Sequence, residues 1–501
     1  MTIQKVRRVA VLGGGITGLS AAFYLLKHAK EQGEKIEVTV IEGSNRLGGR
    51  VNTLRKEGFV IERGPDSFLA RKLPMIQLAR ELGLEQELTG TNPVAKKTYI
   101  SHEGKLHPMP EGLTLGIPSD KEKFMKTELV SEEGKLRALE ELDIVPGELT
   151  EDESVGAFLE RRMGKEMVER IFEPLLAGIH AGDLYRLGLQ ATFPQFKQYV
   201  KDYGSLIQGT KMSQLAAATA AKAKEKSINE ASDEKEQDLV AHFLPTSVFM
   251  TFRNGLSTVI EALESSLREA GCSIRMEAQV EYVERTAAES QLEEAEAMYR
   301  LQLSDGTAIE ADQLLFTLPA NVTADLLSSH TDVSALTNIR YVSVANVVLA
   351  YDEKGFNHDL NGSGFLVSRG EHRHITASTW TSSKWAHTAP SGKRLIRCYV
   401  GRAGDEKGVE LSDAVLASVV QRDLYDLMGL TATPEFVEIT RLRHSMPQYP
   451  IDHNKAISSF RDSLSKQLPG VQVTGAAFGG VGLPDCVAQG KQAAEALLAG
   501  N

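Results

Sequence analysis

The stretch VAVLGGGITGLSAAFYLLKHAKEQGEKIEVTVIE, residues 9–42, leaves this chain few ways to begin folding. Val9 to Leu12 form a short apolar run suited to a buried parallel strand, and Gly13, Gly15 and Gly18 give G-x-G-x-x-G where that strand ends. In such a turn the first glycine permits the bend, the second lets backbone approach a pyrophosphate, and the third lets the following helix lie against the sheet. Leu19, Ala22, Phe23 and Leu26 recur at helical spacing behind it. The free N–H groups and the dipole at the helix start make an anion site. A second strand, Ile36 to Ile41, ends in Glu42, whose carboxylate can accept both hydroxyls of a ribose. A 2′-phosphate would meet like charge there, so the bound dinucleotide expected is not NADP. Gly13, Gly14, Gly15, Ile16, Thr17, Gly18, Glu42 and Gly43 are its candidate contacts.

Beyond that acid, Arg46, Gly48, Gly49 and Arg50 set small residues between two guanidinium groups. This suits a second clamp on the pyrophosphate, the arginines supplying charge-assisted hydrogen bonds. Arg55 to Ile61 reads as one strand, and Gly64-Pro65 as a turn.

The motif GGGITGLSAA, its acid and RLGGR resemble the flavin-dependent amine oxidase superfamily, and ERGPDSFLARK, residues 62–72, resembles the protoporphyrinogen oxidase branch. The resemblance runs over nearly the whole chain. It implies that the dinucleotide is FAD, with its isoalloxazine pointing toward a second, substrate-binding domain; the 6% aromatic content and the motif LPDCVAQG favour a noncovalent cofactor. It also adds Gly64, Pro65, Asp66 and Ser67 to the cofactor contacts, and Val280, where relatives read the adenine ring with backbone groups. Phe252 and Gly255 resemble the family's F-x-x-G-x-x-x-L, with Val259 in place of the leucine.

The remaining chain supplies the rest of the architecture. Residues 73–90 predict an amphipathic helix with Leu73, Ile76, Leu78 and Leu82 inward, and residues 96–112 a hairpin turning at Glu103-Gly104. Between 120 and 240 strand signal is weak, and Val155, Phe158, Leu159, Met163, Met167, Val168 and Ile171 mark a packed helical region. EPLLAGIHAGD, residues 173–183, resembles a hallmark of the protoporphyrinogen oxidase branch, where such helices cover the substrate cavity. Lys211 to Asp238 suits exposed, partly mobile helix. Residues 341–402 alternate as long strands whose sheet should floor a broad pocket. In RLRHSMPQYPIDH, His444 stands where relatives often carry Trp. VQVTGAAFGGVGLPDCVAQG then gives a last strand, a glycine-rich loop and a helix whose first N–H groups suit the pyrimidine edge of a reduced flavin. Gly482 and Val487 are the contacts expected there, with Asp485 as a helix cap and Cys486 a buried small residue.

The fold class expected is therefore α/β and α+β: a Rossmann-like FAD-binding domain from residues 1–90, 245–320 and 445–501, a mixed-sheet substrate domain from 91–115 and 321–444, and a helical insertion at 116–244. A formal charge of −11 with no offsetting basic stripe argues against nucleic acid. Three scattered cysteines without CxxC suggest neither disulfides nor a metal site, and His102 and His107 lack companion ligands. No apolar run reaches the roughly 18 residues of a membrane span, so the protein is expected in the cytoplasm, with peripheral membrane contact left open.

The segment RGPDSFLARK most resembles the Gram-positive coproporphyrinogen III oxidases. That resemblance implies a porphyrinogen substrate, molecular oxygen as acceptor, and Arg71 or Lys72 against a substrate carboxylate, with the next heme-pathway enzyme as a transient partner. No protein acid or base is legible. Protoporphyrinogen oxidase, an amine oxidase or carotenoid desaturase, and a non-enzymatic FAD-binding protein are the alternatives.

Overall fold

The computed structural model describes residues 6–145, 151–230, 247–286 and 298–500, with backbone alone for 220–230. Five parallel strands form the first sheet, in the order Ser273–Arg275, Ile36–Ile41, Arg7–Leu12, Gln313–Phe316 and Val471–Val473. Three distant parts of the chain thus share one sheet. Successive side chains of a strand point to opposite faces, and both faces here are covered. Val9 and Val11 join a core with the helices Ile16–Gln32, Ser257–Glu269 and Leu483–Leu498. Ala10 and Leu12 join another with the helices Ala320–Leu327 and His453–Gln467 and the small sheet over residues 280–311.

The second large sheet has seven strands. Its order is Phe436–Pro447, Tyr341–Asp352, Lys393–Val400, Ile375–Thr379, Gly364–Val367, Thr98–His102 and Lys105–Pro108. All neighbours run antiparallel except Gly364–Val367 with Thr98–His102, so the sheet is mixed. Alternation again sorts the residues. Val347, Leu349, Ile396 and Cys398 pack toward the helix Asp413–Met428, whereas Val348, Ala350 and Leu395 meet Phe59 and Ile61. The latter face also carries Asn346 and Arg397, and it looks toward the first sheet's loops.

The helical region buries Phe124, Phe158, Met163, Met167, Ile171 and Phe172. Within the hallmark segment, Val168–Ala177 widens into a π-helix around Pro174. Proline there has no N–H to give and crowds the preceding turn, which a wider helix relieves. The helix Leu206–Glu230 ends the described part of the region, and 231–238 of the segment expected to be mobile lie outside the described residues.

Three expectations need correction. The single strand over Arg55–Ile61 is a hairpin, Thr53–Lys56 with Phe59–Glu62, because Glu57 and Gly58 both take positive φ, 50° and 82°, and reverse the chain. Leu73 does not face the core: it precedes the helix Pro74–Glu81 as its cap and is 45% exposed. Asp485 does not cap the last helix, whose cap residue is Gly482 and which has no side-chain cap.

Candidate active site

The loops at the carboxyl ends of the first sheet meet in a backbone-lined cradle. Gly13 turns with φ 110°. A Cβ on Gly18 would lie 2.0 Å from the Gly13 carbonyl oxygen, so the helix approaches the turn only because that side chain is missing. Gly15 is the cap of the first helix, with φ −72° and no side chain covering its N–H groups. Across from it, the Gly48 N–H donates to the Gly14 carbonyl at 2.8 Å, and Gly15 and Gly48 form a parallel bridge. A Cβ on Gly15 would meet only Gly49 Cα, at 4.0 Å. Two glycine loops therefore face each other with no side chain between them, at a helix N-terminus, and such a cradle fits a pyrophosphate.

The residues expected at the adenosine end also come together. Glu42 accepts from the Gly14 and Ser44 N–H groups, both at 2.8 Å, which fixes its carboxylate beside the cradle. Gly43 lies against Gln279, and the Ala278 N–H donates to the Glu42 carbonyl at 3.0 Å, bringing buried Val280 to the same edge. Ile16 and Thr17 are buried in the first helical turn.

The two arginines of the second loop are arranged differently. Arg46 folds back on its own loop, donating to the carbonyls of Leu47, Gly49 and Val51. Arg50 reaches the segment crossing from the second sheet and donates to the His444 carbonyl at 3.2 Å. Burial lowers the pKa of both guanidinium groups. The carbonyl of Arg50 in turn packs on Gly64, where a Cβ would come within 1.8 Å of it.

Gly64, Pro65, Asp66 and Ser67 follow as a partly covered segment. Burial opposes charge on Asp66, but Lys384 and Arg397 beside it hold its carboxyl down at about 2. Lys384 Nζ stands 3.6 Å away, and the Ser67 hydroxyl donates at 2.7 Å. A neighbouring cleft is lined by Glu62, Thr251, Trp385, His387 and Arg397 as well as Asp66. Burial pushes the Glu62 carboxyl up to about 7, against hydrogen bonds from the Leu256 N–H and the Thr53 hydroxyl.

The last helix closes the group. The Tyr449 hydroxyl donates to the Ala476 carbonyl and accepts from the Gly480 N–H at 3.0 Å, so the crossing segment pins the glycine-rich loop. Tyr449 itself stacks on His453, centroids 4.4 Å apart. Gly482 then opens the helix without a side-chain cap, and Val487 is buried. Burial drives the Cys486 thiol up to about 11, which keeps it a protonated, unreactive packing group. Asp485 binds Lys72 Nζ with both oxygens, at 2.7 and 2.6 Å. Arg71 stays exposed.

A family model described as "Flavin containing amine oxidoreductase" matches residues 16–498. The chain belongs to this family of flavoenzymes. As a member of the flavin-containing amine oxidoreductases, it is an FAD-dependent oxidoreductase with the α/β and mixed-sheet fold described above. It is 39% identical to a coproporphyrinogen III oxidase of Bacillus subtilis (strain 168), over 98% of each chain. It is also 39% identical to one of Staphylococcus aureus, covering 98% of this chain and 99% of the relative. Among solved structures, a proposed protoporphyrinogen oxidase from Exiguobacterium sp. 255-15 superposes with a TM-score of 0.82 and 33% identity, covering 98% of both chains.

For this flavin-containing amine oxidoreductase, sequence reasoning missed Arg397, Lys384 and Tyr449. Arg397 left one trace, a lone charge inside the stretch LIRCYV. Among the described residues no His, Cys, Asp and Glu group could hold a metal ion, and no helix is long and apolar enough to cross a membrane.

Proposed function

We propose that the chain oxidises coproporphyrinogen III to coproporphyrin III. Six electrons and six hydrogens leave the macrocycle in three two-electron steps, and each pair reduces one oxygen molecule to hydrogen peroxide. The observation that carries this reading is the near-complete match at 39% identity to two proteins named coproporphyrinogen III oxidase. Bound FAD supplies the two-electron acceptor of each step.

The chain's residues supply binding, charge and exclusion of water. Uncapped N–H groups at Gly15 would face the pyrophosphate, and those at Gly482 the edge where negative charge gathers on reduction. The face of the seven-stranded sheet bearing Asn346 and Arg397 would lie on the substrate side, with the helical region over it. Exposed Arg71 suits a substrate carboxylate. Lys72, already paired with Asp485, instead neutralises a carboxylate at the helix end nearest the flavin. The same reading puts the reaction in the cytoplasm, with brief contact with the enzyme that takes the product.

Anaerobic reduction of the FAD-loaded protein by coproporphyrinogen III and, separately, protoporphyrinogen IX, followed at the flavin band, tests this reading. Faster bleaching by the tetracarboxylate supports the proposal. Faster bleaching by protoporphyrinogen favours the reaction named for the Exiguobacterium neighbour, and bleaching by neither removes porphyrinogens altogether.

A further inference from the structure

Arg397 is an arginine placed where a strand should be apolar. It stands in the middle of Lys393–Val400, between Leu395 and Tyr399 on the face that looks toward the first sheet's loops, and it is 3% exposed. A buried guanidinium is costly unless its donors are used. One nitrogen, Nη2, donates to the Gly64 carbonyl, and the group lies 4.7 Å from the centre of the Tyr399 ring. Nε and Nη1 have no partner among the described residues, and the side chain lines the cleft shared with Glu62 and Asp66.

The same short segment is gripped at other points from that sheet and from the short helix Thr381–Lys384 that joins two of its strands. Asn346 Nδ2 donates to the Arg63 carbonyl at 2.8 Å, Arg63 pairs with Glu438 at 2.6 Å, and Lys384 faces Asp66 at 3.6 Å. On its other side, Gly64 rests against the Arg50 carbonyl of the second glycine loop. Arg397 therefore joins the seven-stranded sheet, the Gly64–Ser67 segment and the cofactor loop in one line. Of these grips only Arg397 takes hold of the Gly64 carbonyl itself, and it does so with a charged donor.

We infer that Arg397 is a positioning residue for the flavin: by holding the Gly64 carbonyl and facing Asp66, it fixes the spacing between the flavin-bearing loops and the sheet opposite them. The inference rests on Gly64–Ser67 lying against the flavin, and it needs no particular substrate. A charged hydrogen bond lost at this point moves the segment toward or away from the ring, so it changes how FAD is held before any chemistry begins.

The deciding variant is Arg397→Ala, which removes the guanidinium and leaves its volume open to the existing cleft. FAD affinity should fall by about tenfold or more, with a changed visible spectrum of the bound flavin. Guanidinium ion added at low millimolar concentration should restore both, whereas urea should not, and Arg397→Lys should keep part of the affinity. Unchanged FAD affinity and spectrum in Arg397→Ala would overturn the inference. So would a loss that neither guanidinium nor lysine repairs, since that marks a merely structural arginine. Should Arg397→Ala fail to fold, the lysine variant and Arg397→Gln carry the same comparison. These readouts involve flavin alone: a wild-type protein inert to porphyrinogens, together with guanidinium rescue of Arg397→Ala, would overturn the proposed reaction and leave Arg397 in its role.

Discussion

Gly15→Ala should separate folding from cofactor binding, because its two effects have opposite sign. Gly15 has φ −72° and ψ 172°, a conformation that any L-residue adopts, and a Cβ there would meet nothing nearer than Gly49 Cα at 4.0 Å. Replacing glycine by alanine at such a compatible position stabilises the folded chain by about 0.4–1 kcal/mol, since the unfolded chain loses freedom. The new methyl nevertheless occupies the gap between the two glycine loops, where on the proposed reading the pyrophosphate approaches backbone. Pushing the anion away from two N–H donors forfeits about 1.5–3 kcal/mol for each charge-assisted bond. Together that is about 3–6 kcal/mol, or a loss of affinity of roughly 10²- to 10⁴-fold. Apoprotein melting and FAD titration by fluorescence quenching read the two effects separately. An apoprotein that melts lower than wild type would refute the conformational argument, and undiminished FAD affinity would refute the cradle. Gly18→Ala is the contrast: its Cβ would fall 2.0 Å from the Gly13 oxygen, so melting temperature and affinity should drop together.

Arg71→Ala should raise KM for the porphyrinogen with little change in flavin potential, whereas Lys72→Met should lower the flavin midpoint potential by stripping Asp485 of its counter-ion; the same response from both would end the division of roles. Glu62 has a folded-state carboxyl raised to about 7 from 4.5. The folded protein therefore holds an extra proton between those values, and this contribution to stability, full below pH 4.5, is lost as pH rises through 7. Glu62→Gln should flatten that part of the melting-temperature profile, and an unchanged slope would clear Glu62 of it. His180 and His453 have folded pKa values lowered to about 4 by burial. Their contribution is full above the unfolded value of 6.5 and disappears as pH falls toward 4, so a double His→Gln variant should lose less stability on acidification than wild type. Finally, Glu141 is fully buried and accepts from Arg162, Ser205 and the Leu206 and Ile207 N–H groups. Arg162→Met should cost about 3–5 kcal/mol in unfolding free energy without altering the spectrum of bound FAD, and a spectral change would tie this helical pair to the cofactor.

What could be read in advance was whatever depends on residues close in sequence. The turn, first helix and acid of residues 9–42 fall within one βαβ unit, so spacing and apolar rhythm sufficed. The hairpin Thr53–Glu62 was misread because its turn depends on Glu57 at positive φ, a conformation for which glutamate gives little warning. Leu73 misled because apolarity alone does not say on which side of a helix start a residue falls. The larger gap concerns charge. Lys72 finds Asp485 413 residues later, and Arg397 finds Gly64 333 residues earlier. No local pattern encodes such a meeting, and only a completed fold makes one buried arginine a donor to one particular carbonyl.

The discontinuity of the first sheet has a chemical consequence. Parallel strands present all their carboxyl ends on one edge, where open α/β sheets bind ligands. The pairing continues past the strand ends here: the Gly13 N–H donates to Ile41, that of Thr317 to Leu12, and that of Thr474 to Phe316, at 2.8, 2.9 and 2.9 Å. Four loops are thereby tied in series although they come from the beginning, middle and end of the chain. The first and last helices also pack on each other so closely that a Cβ on Gly490 would lie 2.5 Å from the Thr17 carbonyl. Their N-termini, at Gly15 and Gly482, consequently open toward the same side with no side-chain cap on either. On the proposed reading, one extended dinucleotide engages both dipoles, its pyrophosphate at the first and its electron-accepting end at the second. A contiguous βαβ unit supplies only the first of these helix starts, and the second is added only when the chain returns to its opening sheet with its final strand.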